Sequence, residues 1–151
     1  MGRADCPHDD RPVRFADGNI FLRYLTRPVT PIDQQRFAAC TTLFARVQAG
    51  DEQITTSEVI LTEVFFVLTS PRQYGLSPND AAGRLEPIIA MRGLRLQRKR
   101  IVLRALNLLT THPQLGFEDA LVAATLQRSG MRLLSYDADF DRLPRIMREE
   151  S

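Results

Sequence analysis

The chain is poor in lysine and contains no tryptophan. Among its 151 residues Lys99 is the only lysine, so arginine carries nearly all of the positive charge. Arginine makes forked contacts with phosphate and carboxylate groups that lysine cannot reproduce. The net charge is only +2, which excludes a strong attraction of the whole molecule to nucleic acid. Binding of a polyanion would therefore depend on a local patch of arginines.

Cysteine and long apolar runs are scarce as well. Cys6 and Cys40 are too few to build a disulfide framework. No apolar run approaches the roughly 20 residues that cross a bilayer. The first ten residues also lack the apolar core of a secretion signal. These absences predict a cytoplasmic protein without a membrane-spanning segment.

The sequence divides into a short leader and one domain. Residues 1–11 are polar and contain Pro7, and we expect them to be disordered. From residue 12 to residue 151, short apolar or β-branched strands alternate with amphipathic helices, which predicts an α/β domain with a mostly parallel sheet. The predicted strands are 13–16, 54–56, 94–96, 133–135 and 145–147, and the predicted helices are 19–26, 32–48, 57–70, 77–93, 97–111 and 117–129. Thr56 or Ser57, and Ser77, are expected as N-caps, and Gly50, Gly93 and Gly130 are expected to end helices.

Acidic residues recur at the positions where such a fold gathers its functional groups. Asp17 and Asp137 each follow a predicted strand, and Asp119 lies in the first turn of a predicted helix. The carboxyl ends of the strands of an open α/β sheet are where ligands bind. Glu63 borders the apolar stripe of its own helix, whereas Glu58 lies on the opposite flank. Asp17, Glu63, Asp119 and Asp137 are therefore expected to share one site.

The chemistry of that site follows from its donor atoms. Carboxylates without histidine or cysteine suit a hard cation, Mg²⁺ or Mn²⁺, and such a site fits the hydrolysis of phosphodiesters. Asp139 is an additional candidate ligand, and Asp141 is assigned to a turn. Each acid also has a structural interpretation, because Asp is favoured at helix starts and in turns and Glu63 could pair with an arginine.

Four segments with these acids follow one another in a specific order. They read DGNIFLRYL, TSEVILTEVFFVL, FEDALVAA and SYDADFDRL, at residues 17–25, 56–68, 117–124 and 135–143. In this order they resemble the PIN-domain family, especially the VapC-type toxins of bacterial toxin–antitoxin pairs. The resemblance extends from residue 13 to residue 147. It implies a three-layer α/β/α domain around a central, mostly parallel sheet of four or five short strands.

The resemblance also implies which residues act. The four acidic positions of the family fall on Asp17, Glu63, Asp119 and Asp137, as catalytic residues that hold Mg²⁺ or Mn²⁺. Asn19 and Ser135 fall on positions that orient the carboxylates. Gly18 departs from the pattern, since family members often carry Thr or Ser there.

The implied activity is a metal-dependent endoribonuclease acting as the toxin of a toxin–antitoxin pair. A cognate antitoxin and a homodimer are implied as partners. Phe66 lies on the helix face opposite the apolar stripe, where it suits either a protein interface or burial on the second side of the helix within the domain. RNA is expected to contact basic residues around the acidic site, and the candidates are Arg23, Arg95, Arg98, Lys99, Arg100 and Arg104. For the five residues from Arg95 to Arg104, a solvated helix face is the alternative interpretation.

Other functions fit the sequence less well. A phosphoacceptor receiver needs a second acid beside Asp17 and a lysine near a late strand, but Lys99 lies in a predicted helix. A phosphatase of the haloacid-dehalogenase type needs an aspartate where Asn19 stands. Two alternatives within the family stay open: a PIN nuclease that matures ribosomal or transfer RNA, and an inactive PIN module that only binds a partner.

Overall fold

A computed structural model describes residues 12–151, so the predicted leader lies outside the described residues. The part of the chain that it describes folds into six α-helices, five strands and one 3-10 helix. The predicted α/β class is confirmed. In chain order the elements are β1 (Arg14–Phe15), α1 (Gly18–Leu25), α2 (Pro31–Ala49), β2 (Ile54–Thr55), α3 (Glu58–Thr69), α4 (Pro78–Ile89), β3 (Leu94–Arg95), α5 (Lys99–Thr111), α6 (Phe117–Ser129), β4 (Leu133–Leu134), the 3-10 helix (Ala138–Arg142) and β5 (Arg148–Glu149).

The strands are short and pair only in parallel within the described residues. β1, β2 and β3 form a three-stranded sheet with β2 in the centre, in which Phe15 lies opposite Thr55 and Thr55 opposite Arg95. β4 and β5 form a second, two-stranded sheet. The prediction of short parallel strands is therefore confirmed. The five strands of residues 12–151 do not form the single central sheet that we predict from the sequence, because they are divided into a sheet of three and a sheet of two.

The last predicted strand is placed too early in the chain. Residues 145–147 were expected to be extended, whereas β5 covers Arg148–Glu149. Arg145 has a φ of 62°, which belongs to the left-handed region and is incompatible with a strand. The chain turns at Arg145, and strand pairing begins only after that turn.

Most helix ends lie at the residues that the sequence marks. The side chains of Ser57 and Ser77 accept backbone N–H bonds as N-caps of α3 and α4. Gly50 and Gly130 end α2 and α6 in the left-handed conformation that glycine adopts without strain. These local signals fix the directions in which the chain leaves each helix.

The predicted end of α4 is wrong. We expected Gly93 to end this helix, but α4 ends at Ile89 with Ala90 as its C-cap. Gly93 instead lies in the turn before β3, where its N–H donates to the carbonyl of Val47 over 2.8 Å. A Cβ atom at Gly93 would stand 2.0 Å from the carbonyl oxygen of Glu52. Glycine is needed there because two backbone segments approach closely.

The core lies between the helices and the three-stranded sheet. α1 packs against α2 and α3, and α5 packs against α4 and α6, consistent with an α/β/α arrangement. Phe21 and Phe44 are fully buried with ring centroids 5.8 Å apart. Among the described helices, none has the length and apolar character needed to cross a bilayer.

Replacing Gly93 by alanine is expected to lower the free energy of unfolding by about 1–3 kcal/mol, because the added methyl group must displace backbone atoms. Gly83, inside α4, is a matched control, since a methyl group added there would meet no atom within 4 Å. Gly83→Ala should instead raise stability by about 0.5–1 kcal/mol through helix propensity. Urea denaturation of both variants checks this, and equal stability of the two would contradict the role of Gly93.

Candidate active site

Asp17 is held at the carboxyl edge of the three-stranded sheet. The N–H of Ala16 donates to the carbonyl of Thr55 over 2.8 Å, and the buried hydroxyl of Thr56 donates back to the carbonyl of Ala16 over 2.9 Å. These bonds fix the backbone directly before Asp17. The exposed Asp17 side chain caps α1 by accepting the N–H of Gly18 over 2.8 Å.

Gly18 brings the start of α1 next to α3. It is buried, and a Cβ atom at this position would lie 3.4 Å from Val64 and 3.8 Å from Ile60. Glu63 precedes Val64 in α3 and is exposed. The packing of α1 on α3 therefore places Asp17 close to the helix that carries Glu63.

Asp119 joins this side of the molecule through an aromatic contact. The rings of Phe65 in α3 and Phe117 at the start of α6 stack with centroids 5.6 Å apart. This contact sets the first turn of α6 beside α3. Glu63 and Asp119 consequently line the same cleft, which has a volume of about 510 Å³.

Asp137 and Asp139 lie in a tightly hydrogen-bonded segment after β4, residues 135–141, which we call the acidic loop. The N–H of Asp137 donates to the hydroxyl oxygen of Ser135 over 3.0 Å. The Asp137 carboxylate in turn accepts the N–H of Asp139 over 2.9 Å. Both aspartates remain exposed. Asp141 differs, because its two carboxylate oxygens accept a fork of N–H bonds from Arg148.

Asp119 is partly buried and has other acids as neighbours. Burial, followed by the negative charges of Asp137, Glu118 and Asp139, raises the pKa of the Asp119 carboxyl. The acidic loop and the first turn of α6 are therefore near neighbours. Glu63 lines the same cleft as Asp119, and Asp17 precedes the start of α1, which packs on α3. We call these acidic residues together the acidic edge.

The acidic edge is not a closed metal cage. Within residues 12–151, no three His, Cys, Asp or Glu side chains come close enough together to hold a metal ion. Asp17 is linked to the other acids through the contact between α1 and α3. Asn19, predicted to orient a carboxylate, is exposed, whereas Ser135 directly contacts the backbone of Asp137.

Two of the predicted RNA contacts already have hydrogen-bond partners within the protein. The Lys99 ammonium donates to the carbonyls of Met91 and Leu94 over 2.7 and 2.9 Å. Burial is the main cause that lowers the pKa of this ammonium. The guanidinium of Arg98 forms a fork on Glu58 with N–O distances of 2.9 and 2.7 Å. A phosphate would have to compete with these internal partners.

Two further predicted contacts are also engaged. Arg104 donates to the side-chain oxygen of Gln127 over 2.8 Å. Arg23 forms an ion pair with Asp33. Of the six basic residues proposed from the sequence, four therefore have an internal hydrogen-bond or ion-pair partner.

Arg95 and Arg100 differ from the other four predicted contacts. Both are exposed, and the described part of the chain offers neither of them an ion pair. Sequence reasoning missed Arg128, which is exposed in the last turn of α6 and lines a cleft of about 650 Å³ together with Arg100. Arginine is common at the C-terminal ends of helices, so the position of Arg128 in the sequence does not indicate that it lies beside Arg100.

Comparison with known proteins identifies the class. The chain matches the PIN domain over residues 15–146. It therefore belongs to the PIN-domain family, whose members are generally nucleases and thus hydrolases. A comparison with curated proteins finds no match.

Replacing Asp119 by asparagine should stabilise the metal-free protein relative to a matched control, Asp80→Asn. Both residues are third in their helices, so both changes remove a similar favourable interaction with the helix dipole, worth about 0.3–1 kcal/mol. Only Asp119→Asn also removes a charge that burial and neighbouring acids disfavour. In EDTA at pH 7, Asp119→Asn should therefore be the more stable of the two variants.

The difference should depend on pH in a defined direction. The raised pKa means that ionised Asp119 destabilises the folded state above that pKa. As the pH falls through the raised pKa to below the ordinary value of about 3.9, the carboxyl is protonated in both states and the cost disappears. Urea denaturation across this range checks the prediction. A stability gap that persists unchanged in acid would contradict it.

Proposed function

We propose that this chain is a metal-dependent endoribonuclease that acts as the toxin of a toxin–antitoxin pair. The observation that carries the proposal is the placement of Asp119 beside Asp137 and Asp139, with Glu63 lining the same cleft as Asp119. Acids that repel one another are unfavourable for folding, so a function that uses their charge accounts for their presence. Membership of a nuclease family supports hydrolysis of phosphodiesters.

The donor set fits Mg²⁺ or Mn²⁺ in its chemistry. It is made of carboxylate oxygens and carries an excess of negative charge, which a hard cation would neutralise. One or two of Asp17, Glu63, Asp119 and Asp137 would bind the ion directly and the others would act through its bound waters, with Asp139 as an additional candidate. Mg²⁺ commonly keeps several waters and uses only one or two carboxylates, so an open set of acids is compatible with it. When bound, the cation supplies Lewis-acid stabilisation of the phosphate and activation of the attacking water.

The side chains of the protein have separate tasks in this proposal. The acidic edge repels the RNA backbone, so cations outside it must hold the phosphates. Arg100 and Arg128 suit this task because they are exposed and line one cleft, and Arg95 is exposed at the end of β3. Arg98, Lys99, Arg104 and Arg23 would first have to leave their internal partners.

A toxin must be kept silent by a partner, and we propose that a cognate antitoxin binds this chain in the cytoplasm and that the chain forms a homodimer. Exposed apolar side chains on α3 support a protein interface. Phe66 is 68 % exposed and Val59 is 77 % exposed. Exposed apolar side chains of this kind are typical of surfaces that another protein covers.

Cleavage of RNA should need the acidic edge and a divalent cation. Asp119→Asn removes a ligand candidate without a large change in volume. It is expected to reduce cleavage at least 100-fold, because replacing residues that only orient metal ligands already costs about 10–100-fold. Asp80→Asn should keep wild-type activity. The assay uses purified protein on structured and unstructured RNAs with Mg²⁺, Mn²⁺ or EDTA. Undiminished cleavage in excess EDTA would refute the metal mechanism. Absence of cleavage by the folded wild type under every condition would favour a module that only binds a partner.

Expression of the chain alone should arrest the growth of a bacterial host. Co-expression of a small open reading frame adjacent to its gene should restore growth, because an antitoxin would cover the site. The Asp119→Asn variant is the matched control and should not arrest growth. Harmless accumulation of folded, active wild-type protein would instead favour an enzyme of ribosomal or transfer RNA maturation.

A further inference from the structure

Arg148 makes an unusual set of contacts with the acidic loop. Its Nε and one terminal nitrogen each donate to Asp141 over 2.9 Å. The other terminal nitrogen donates to the carbonyl of Ser135 over 3.0 Å and to Glu150 over 2.7 Å. One side chain therefore binds both the first and the last residue of the loop.

The Arg148 side chain is largely buried, and the backbone on both sides of its contacts is held by strand pairing. Only 14 % of the Arg148 side chain is exposed. It leaves β5, which pairs in parallel with β4, and Arg148 lies opposite Leu133. The N–H of Ser135 also donates to the carbonyl of Glu149 over 3.0 Å. Backbone pairing therefore fixes both β5 and the beginning of the acidic loop.

Two candidate metal ligands, Asp137 and Asp139, lie in the chain between the two loop residues that Arg148 contacts. Asp137 and Asp139 lie between Ser135 and Asp141 and are linked to each other by the bond from the Asp139 N–H. Neither has a contact of its own with Arg148 among the hydrogen bonds of the described residues. Phe140, which is 5 % exposed, anchors the far side of the loop in the core. The position of Asp137 thus depends on a segment that Arg148 closes at both ends.

We propose that Arg148 is a positioning residue that holds Asp137 and Asp139 at the acidic edge and thereby sets the affinity of the site for its divalent cation. The inference rests on the proposed function. Arg148 is not one of the acidic residues, and it acts by fixing the shape of the acidic loop. Outer residues that orient ligands typically change metal affinity about 10–100-fold when they are replaced.

The test compares Arg148, which lies in β5, with Arg132, which directly precedes β4. Arg148→Gln removes the contacts to both ends of the loop. Arg132→Gln is the control, because Arg132 also joins β4 to β5, through an ion pair of 2.7 Å with Glu149, and makes no bond to the acidic loop. Mn²⁺ binding to each purified protein is measured by calorimetry, at a temperature at which melting curves show all variants to be folded.

Arg148→Gln is expected to weaken Mn²⁺ binding about tenfold or more, and Arg132→Gln to leave it within about twofold. The concentration of Mn²⁺ that gives half-maximal RNA cleavage should shift by the same factor, with little change in KM for RNA. Equal Mn²⁺ affinities of wild type and Arg148→Gln would overturn the inference alone. Failure of the wild type itself to bind Mn²⁺ would instead overturn the metal-dependent function on which the inference rests.

A second variant separates geometry from charge and serves if Arg148→Gln does not fold. Arg148→Lys keeps the positive charge but cannot form the fork on Asp141 while also reaching Ser135. It should still bind Mn²⁺ at least severalfold more weakly than wild type, and hydrogen exchange should increase in residues 135–141. Full wild-type affinity and protection in Arg148→Lys would show that charge alone suffices and would refute positioning by Arg148.

Discussion

Mutual repulsion of carboxylates is the constraint around which this protein is built. Burial raises the pKa of the Asp119 carboxyl, and the negative charges of Asp137, Glu118 and Asp139 raise it further. Such groups separate unless the backbone that carries them is fixed. Here it is fixed by the N–H bonds of the acidic loop, by the stacking of Phe65 on Phe117, and by the bond between Thr56 and Ala16 that precedes Asp17. Two of these contacts, the aromatic stack and the bond between Thr56 and Ala16, lie outside the acids, whereas the bonds of the acidic loop include the backbone of Asp137 and Asp139 and the Asp137 carboxylate.

The sequence predicted the parts of this fold that depend on local chemistry. Ser57, Ser77, Gly50 and Gly130 mark helix ends, and the structure uses all four in that way. It also predicted which elements carry the acids. The misplaced end of α4 has a different cause, because Gly93 is required by the carbonyl of Glu52, which is far away in the chain. Contacts between distant segments leave no periodic signal.

The same limit applies to the basic residues of the candidate site. A count of arginines suggests a broad cationic rim, yet Arg98 is paired with Glu58 and Lys99 is bound to backbone carbonyls. Both contacts depend on how α5 meets α3 and the turn before β3, and neither can be deduced from spacing. Arg148 has no signal in the sequence either. Its partners Ser135 and Asp141 are brought to it only by the pairing of β4 with β5.

The structural and functional interpretations of the acids are compatible with each other. Asp17 caps α1 with its Oδ1 atom, and Asp137 accepts the N–H of Asp139 with its own Oδ1 atom. A carboxylate has two oxygens with about four lone pairs, so each residue keeps acceptor capacity after its backbone bond is made. The backbone bond also restricts rotation of the side chain, which lowers the entropy that a later ligand would have to remove. A helix cap or turn bond at these positions therefore prepares the carboxylate for binding, and the position that best serves the fold also best serves the proposed site.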